Sequence, residues 1–148
     1  MEKDFSPEML QFMLNVGFVG IERGFFAESK VLFDTVVKLC PNDLNVRLSQ
    51  AMGEVFMGEL VDGVKKLFAV IKEDPANEFA KSFIAIAFKL GKLDEQALQC
   101  VQDILKNSRD VVAKEIAQGV LDSYKNSITP QKLQAEQCSR ISQEVYVH

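Results

Sequence analysis

An interval of 34 residues recurs along this chain and constrains its fold more than any other feature. It separates the members of five columns of glycine, proline, small or apolar residues: Gly24 and Gly58; Pro41 and Pro75; Gly63 and Ala97; Phe33, Leu67 and Val101; Val36, Val70 and Ile104. A unit of this length cannot bury its apolar face alone, and such units stack on their neighbours as a solenoid. The sequence therefore predicts a stacked repeat protein.

Local signals divide each repeat into two helices. Apolar residues recur at helical spacing from Phe26 to Leu39, and Pro41 then ends the helix. Asp43, Asn77 and Asp110 follow the breaks and can cap the next helix. We predict helices near residues 7–23, 26–40, 44–57, 60–73, 77–90, 94–106, 110–125 and 130–146. The predicted fold is an all-α solenoid of about three helix pairs with one or two closing helices.

The last twenty or so residues are set apart from the repeats. Thr129 can cap a helix that has Pro130 in its first turn. Leu133, Cys138, Ile141 and Val145 give that helix one weakly apolar side. We predict a repeat domain over residues 1–128 and a C-terminal amphipathic helix or tail over residues 129–148.

Charge and hydropathy argue against nucleic-acid and membrane partners. The chain has 17 basic and 21 acidic residues, a formal net charge of -4, and no basic cluster beyond Lys65 and Lys66. The longest charge-free stretch, from Met9 to Ile21, is too short to span a bilayer, and the first five residues are charged where a signal peptide is apolar. We expect a cytoplasmic protein that binds no nucleic acid and does not insert into membranes.

The sequence has none of the residue arrangements that catalysis or metal binding requires. The single histidine is His148, the last residue, where no catalytic geometry can be held. Cys40, Cys100 and Cys138 are widely spaced and odd in number, which favours buried free thiols over a disulfide framework or a zinc site. No phosphate-binding glycine loop occurs. We predict a protein that is not an enzyme and uses no cofactor.

The first helix of each pair lines the concave surface of such a solenoid, so its unpaired apolar residues predict a partner-binding groove. An apolar groove suits the apolar stripe of an amphipathic helix. The alternative is that these residues are core, or that the closing helices fill the groove. The predicted groove residues are Leu14, Phe18, Ile21, Leu48, Met52, Val55, Phe56, Phe79, Ile86, Leu90, Ile116, Val120 and Tyr124.

The segment from Gly17 to Pro41 resembles a tetratricopeptide (TPR) motif. Its signature columns are occupied by Gly17, Gly24, Ser29, Phe33, Val36 and Pro41. Later repeats depart from the motif, because polar residues replace packing residues in the second repeat and Arg109 replaces the final proline of the third. Arg47, Gln50 and Glu54 are these polar residues, and they predict a rotated or irregular second repeat.

The order of turns from Met9 to Tyr124 resembles the small TPR chaperones of bacterial type III secretion, and most closely the needle-subunit chaperones. The similarity rests on four segments: 17–24, 58–63, 90–94 and the helix start at 107–110 with Gly119. It implies a bacterial cytoplasmic chaperone whose groove holds the carboxy-terminal helix of a needle subunit and prevents premature polymerisation. A second small helical chaperone would cover the rest, and the free chain could form a homodimer. The alternatives are a translocator-type secretion chaperone and a structural TPR scaffold subunit.

Overall fold

The computed structural model describes residues 5–126, which form seven α-helices without a strand. The helices are α1 (Pro7–Glu22), α2 (Phe26–Leu39), α3 (Leu44–Phe56), α4 (Leu60–Glu73), α5 (Glu78–Leu90), α6 (Asp94–Asn107) and α7 (Val111–Asn126). The all-α prediction is confirmed, and each predicted boundary in this range lies within one residue of the observed one. The helix predicted over 130–146 lies outside the described residues.

Odd-numbered helices begin at side-chain caps. Asp43 Oδ1 accepts hydrogen bonds from the amides of Asn45 and Val46, at 2.9 and 3.1 Å, and Asn77 Oδ1 accepts one from Ala80 at 2.9 Å. These bonds satisfy amides that have no partner within the first helical turn. The cap spacing therefore fixes where α3 and α5 begin.

Even-numbered helices instead follow tight turns that contain one residue with positive φ. Gly24 and Gly58 have φ values of 82° and 85°, which glycine adopts without steric cost. The equivalent residue of the third repeat is Lys92, with φ 59°. The turn geometry is thus kept in all three repeats, although the third does not have the preferred residue.

The helices form one inner and one outer layer. Consecutive odd-numbered helices contact each other: α1 with α3, α3 with α5, and α5 with α7. Each even-numbered helix contacts the odd-numbered helices before and after it, but α2, α4 and α6 make no contact among themselves in the described range. Since the inner layer is closely spaced and the outer layer is splayed, the solenoid is concave on its odd-numbered side.

The second repeat is regular, contrary to the prediction of a rotated or irregular unit. Helices α3 and α5 begin 34 residues apart and pack on α4 and α6 in the same way. The polar residues of α3 are accommodated by partners: Gln50 Nε2 donates to Asp34 Oδ1 at 2.7 Å, and Lys66 forms an ion pair with Glu54. Hydrogen bonds and ion pairs thus replace the apolar packing that the motif would have supplied.

Candidate partner-binding surfaces

A row of aromatic rings crosses the concave surface and links three of the four inner helices. The ring centroids of Phe18 and Phe56 lie 6.4 Å apart, those of Phe56 and Phe83 5.7 Å apart, and those of Phe83 and Phe79 5.1 Å apart. The first two pairs are in edge-to-face geometry, which aromatic pairs favour. The row therefore both joins α1, α3 and α5 and presents aromatic surface to a partner.

Two of the predicted groove residues are well exposed. The side chain of Phe56 is 46% exposed and that of Leu90 is 51% exposed. Phe18, Ile21, Met52, Phe79, Ile86, Ile116 and Tyr124 are half-buried. The structure brings Phe18, Phe56 and Phe79 together in the aromatic row, and Phe56 and Leu90 offer the most surface for contact with a partner.

Four predicted groove residues are core residues in the structure, which corrects their assignment. Val55 has no exposed surface, because it faces Gly63 of α4 across the hairpin. Leu14 is buried with Phe33, Leu48 with Leu67, and Val120 with Val101 and Ile104. These side chains point toward the outer helices and support the groove from behind.

Phe18 has a structural role as well as an exposed edge. Its ring lies 5.0 Å, centroid to centroid, from that of Phe33, which is almost completely buried. A charge at Phe18 would therefore also disturb the packing of Phe33. Leu90, which is 51% exposed and lies outside the aromatic row, is the better position for separating binding from folding.

Tyr124 closes the groove at its carboxy-terminal end. Its hydroxyl donates a hydrogen bond to Asp94 Oδ1 at 2.8 Å, and Lys89 Nζ lies 5.5 Å from the ring centroid. Burial, with the hydrogen bond and the charge of Asp94, raises the pKa of Tyr124 to about 12. Tyr124 thus fixes the end of α7 against α5 and α6, which the sequence pattern did not indicate.

Phe83 was missing from the predicted groove, although it stands between Phe56 and Phe79 in the aromatic row. Its side chain is only 5% exposed, so it acts chiefly as the packing link between α3 and α5. The spacing of four residues from Phe79 places both rings on one face of α5 and is the signal that could have identified it.

A second apolar surface lies on α1. Its side chains recur at helical spacing and are exposed, with Phe12 the most exposed at 68%; we call Met9, Phe12, Val16 and Val19 the α1 stripe. The residues 34 positions after Phe12 and Val19 are Val46 and Gly53, which pack against α2. No helix precedes α1 within the described residues, so the face that receives a preceding helix in α3 is open in α1.

Metal ligands, membrane-spanning helices and free thiols are the remaining features of residues 5–126 that bear on function. That part of the chain contains no cluster of three or more His, Cys, Asp or Glu side chains that could hold a metal ion. Among its helices, none combines the length and apolar character needed to cross a membrane. Cys40 and Cys100 are free thiols and half-buried, not fully buried as predicted; burial and the charge of Asp103 raise the pKa of Cys100.

Comparison with known proteins identifies a similar fold. No protein-family profile matches the chain, and no curated protein matches it. A chain of the solved structure titled "CopN-Scc3 complex" matches with a TM-score of 0.58 and 14% sequence identity, over 80% of this chain and 70% of that chain. At this identity the likeness shows that the two chains share the helical-hairpin solenoid fold.

Proposed function

We propose that this protein is a non-enzymatic cytoplasmic chaperone of bacterial type III secretion. Its concave surface holds an amphipathic helix of a needle subunit and keeps that subunit from polymerising before export. The observation that carries the proposal is the aromatic row from Phe18 to Phe79, in which Phe56 is well exposed, together with the exposed side chain of Leu90. A subunit that assembles by burying apolar helix faces needs such a surface to occupy those faces.

The structural likeness supports a secretion chaperone as the class of protein. The similar solved structure is a complex of two proteins, CopN and Scc3, so this fold occurs there in a protein-binding chain. The narrower assignment to a needle subunit rests on the resemblance of the turn segments and on the shape of the groove. An apolar groove without a row of cations suits the apolar side of a helix better than an acidic peptide.

The α1 stripe is the proposed site of the second small helical chaperone. A helix that packs there would take the position that α2 holds against α3 and would extend the solenoid by one element. In the absence of that partner, the same stripe would join two copies of this chain as a homodimer. Covering an exposed apolar stripe in either way removes a surface that isolated soluble domains rarely expose.

A binding measurement with matched aromatic variants tests the groove. The probe is a labelled synthetic peptide with the sequence of the carboxy-terminal helix of a needle subunit, followed by fluorescence anisotropy. Phe56→Glu places a charge against the apolar side of the peptide and should weaken binding by about tenfold or more. Phe26→Glu is the control, since Phe26 is also 46% exposed but lies at the start of α2.

Phe56→Glu should melt below Phe26→Glu, because it also loses the ring contacts with Phe18 and Phe83; the affinities are therefore compared at a temperature at which circular dichroism shows both variants to be folded. Leu90→Glu, at the equivalent position of the next repeat, should reproduce the loss of affinity. Equal affinity in Phe56→Glu and Phe26→Glu would contradict the groove assignment.

Copurification distinguishes the alternative functions. A very small partner that forms needles supports the proposal, whereas a large membrane-inserting partner indicates a translocator-type chaperone. Recovery within a stable multi-subunit machine indicates a scaffold subunit. Phe12→Glu should separate the co-chaperone, or the second copy, from the complex without changing affinity for the peptide; a Phe12→Glu chain that retains both would contradict the role of the α1 stripe.

A further inference from the structure

An apolar trough runs along the convex side of the molecule, between α4 and α6, and α5 forms its floor. It consists of two adjoining pockets that share Phe68 and Phe88, and the larger has a volume of about 540 Å³. Phe68, Val61 and Leu93 are among the most exposed apolar side chains of the described range. We define this convex trough by Val61, Val64, Phe68, Phe88, Leu93 and Cys100.

The outer face of α7 cannot receive a further helix in the manner of the earlier repeats. In α5, Ser82 is fully buried, and Ala85, one turn later, is buried against Val101 and Ile104 of α6. The caps Asn77 and Asp110 are 33 residues apart, so this interval aligns α5 with α7. The equivalent residues of α7 are Glu115 and Gln118, and both are exposed. A helix that follows α7 would meet a polar face there, so burial of its own apolar side requires another surface.

The chain leaves α7 beside the end of the convex trough. Tyr124 holds the last turn of α7 against the first residue of α6, through the 2.8 Å hydrogen bond to Asp94 Oδ1. Ser123 accepts a hydrogen bond from Lys89, the next-to-last residue of α5. Leu93, next to Asp94, lines the trough. The next residues of the chain therefore start one helix width from this apolar surface.

The remaining segment has the length and apolar pattern to cover the trough. Residues 127–130 can span up to about 13 Å, which is enough to pass the end of α6. A helix over residues 130–146 would be about 25 Å long, against about 21 Å for the 14 residues of α4. Leu133, Cys138, Ile141 and Val145 lie along one side of that predicted helix.

We propose that residues 127–148 fold back over the end of α6 and dock in the convex trough, with the Leu133, Ile141 and Val145 side facing Phe68 and Phe88. The segment runs alongside α4 and α6 and covers the outer side of the third repeat. The concave groove stays open to its client. This docking does not depend on the proposed function, because it concerns the opposite side of the solenoid.

The native cysteines allow a direct test in the full-length chain. Cys100 is about 10 Å along α6 from Leu93, and Cys138 is about 13 Å along the predicted helix from Thr129, so docking places the two thiols at a similar depth. The Cys40→Ser variant leaves only these two. A short bismaleimide at mildly alkaline pH should join Cys100 to Cys138 within one molecule, detected by mass spectrometry of the digested monomer.

Two comparison variants keep Cys138 but move the second thiol to another surface. Both lack Cys40 and Cys100, which are changed to serine. Ile86→Cys probes the concave groove, and Gln118→Cys probes the outer face of α7. Each should cross-link to Cys138 at least about tenfold more slowly than Cys100 does, since docked segments open only rarely. Faster cross-linking at either position, cross-links only between two molecules, or no cross-link at Cys100 would overturn the proposal.

Thiol protection gives a second measurement without a cross-linker. Ile141→Asp should expel the segment from the trough and speed maleimide labelling of Cys100 by about fivefold or more, as local opening becomes the dominant state. Ser139→Asp is the control, because residue 139 lies on the opposite side of the predicted helix. If both changes, or neither, accelerate the labelling of Cys100, the docking is wrong.

Discussion

At each repeat junction, an even-numbered helix packs between the odd-numbered helices before and after it. The first junction, around α2, and the second, around α4, have the same geometry but are packed with different side chains. At the first junction, the ring of Phe33 lies between Gly17 of α1 and Gly53 of α3, and an added Cβ at either glycine would come within 2.8 Å of that ring. At the second junction the equivalent residues, 34 positions later, are Leu67, Ala51 and Ala87, and all three are buried. A larger central side chain is matched by smaller neighbours.

The third junction extends this compensation. Val101 of α6 is buried with Ala85 and with Val120 of α7, so the smallest central side chain has the largest pair of neighbours. Interiors are packed to nearly constant density, and helices keep the same separation only if the total side-chain volume between them is kept. The repeats thus keep the same backbone because the total side-chain volume at each junction is similar, and not because any single residue is kept.

The outward side of the two junctions differs in chemistry. At the first, α3 presents Gln50 and Glu54, which bind Asp34 and Lys66. At the second, α5 presents Ile84 and Phe88 at the corresponding positions, and Phe88 lines the convex trough. The first junction is closed by polar partners within the domain, whereas the second leaves apolar surface for another segment to cover.

The largest expected effect comes from removing the central ring of the first junction. Phe33→Ala should lower the free energy of unfolding by about 3–5 kcal/mol, because the neighbouring glycines have no side chains with which to fill the cavity. Leu67→Ala is the comparison at the second junction and should cost about 2–5 kcal/mol. Urea denaturation followed by circular dichroism measures both; a Phe33→Ala chain as stable as the original would show that the ring does not support this junction.

The polar side of the first junction should respond almost as strongly. Lys66→Met leaves the buried carboxylate of Glu54 without its ion-pair partner, which should cost about 3 kcal/mol. The double variant Glu54→Met with Lys66→Met should recover most of that loss, since replacing both members removes the unpaired charge. Lys65→Met is the exposed control. Equal stability of the single and double variants would mean that the pair is not coupled.

The fold could be predicted from the sequence because it depends on local and periodic signals. Proline positions, caps such as Asp43 and Asn77, and the 34-residue columns are all short-range features, and the structure confirms the helices that they predict within residues 5–126. The irregular second repeat was predicted wrongly because the pattern shows that Gln50 and Glu54 are polar but not that Asp34 and Lys66 stand opposite. Those partners lie 16 and 12 residues away, on other helices.

The candidate site was only partly predictable for a related reason. Helical spacing places Val55 and Phe56 on neighbouring faces of α3, about 100° apart. A small error in the assumed rotation of the helix about its axis therefore assigns a core residue to the groove, or a groove residue to the core. Val55 proved to face Gly63, whereas Phe56 faces the open groove. The convex trough was not foreseen, because it is formed by three helices whose outer sides the repeat pattern treats as solvent-exposed.

The smallest effect, and the sharpest test of the comparison, comes from exchanging the two packing solutions. Gly53→Ala adds a methyl group against the ring of Phe33, and the overpacking should outweigh the gain of about 1 kcal/mol in helix propensity, for a net loss of about 1–2 kcal/mol. The variant Phe33→Leu removes the obstacle and should, in the Gly53→Ala background, restore or exceed the stability of Phe33→Leu alone. Adding Gly17→Ala to that pair gives the first junction one leucine and two alanines, which is the set of packing residues found at the second junction. If volume compensation is correct, the three changes together are less destabilising than the sum of their separate effects, and the coupling free energy from a double-mutant cycle is favourable by about 1 kcal/mol or more. If the effects of Gly53→Ala and Phe33→Leu on the free energy of unfolding are strictly additive, the packing residues of the two junctions are not interchangeable.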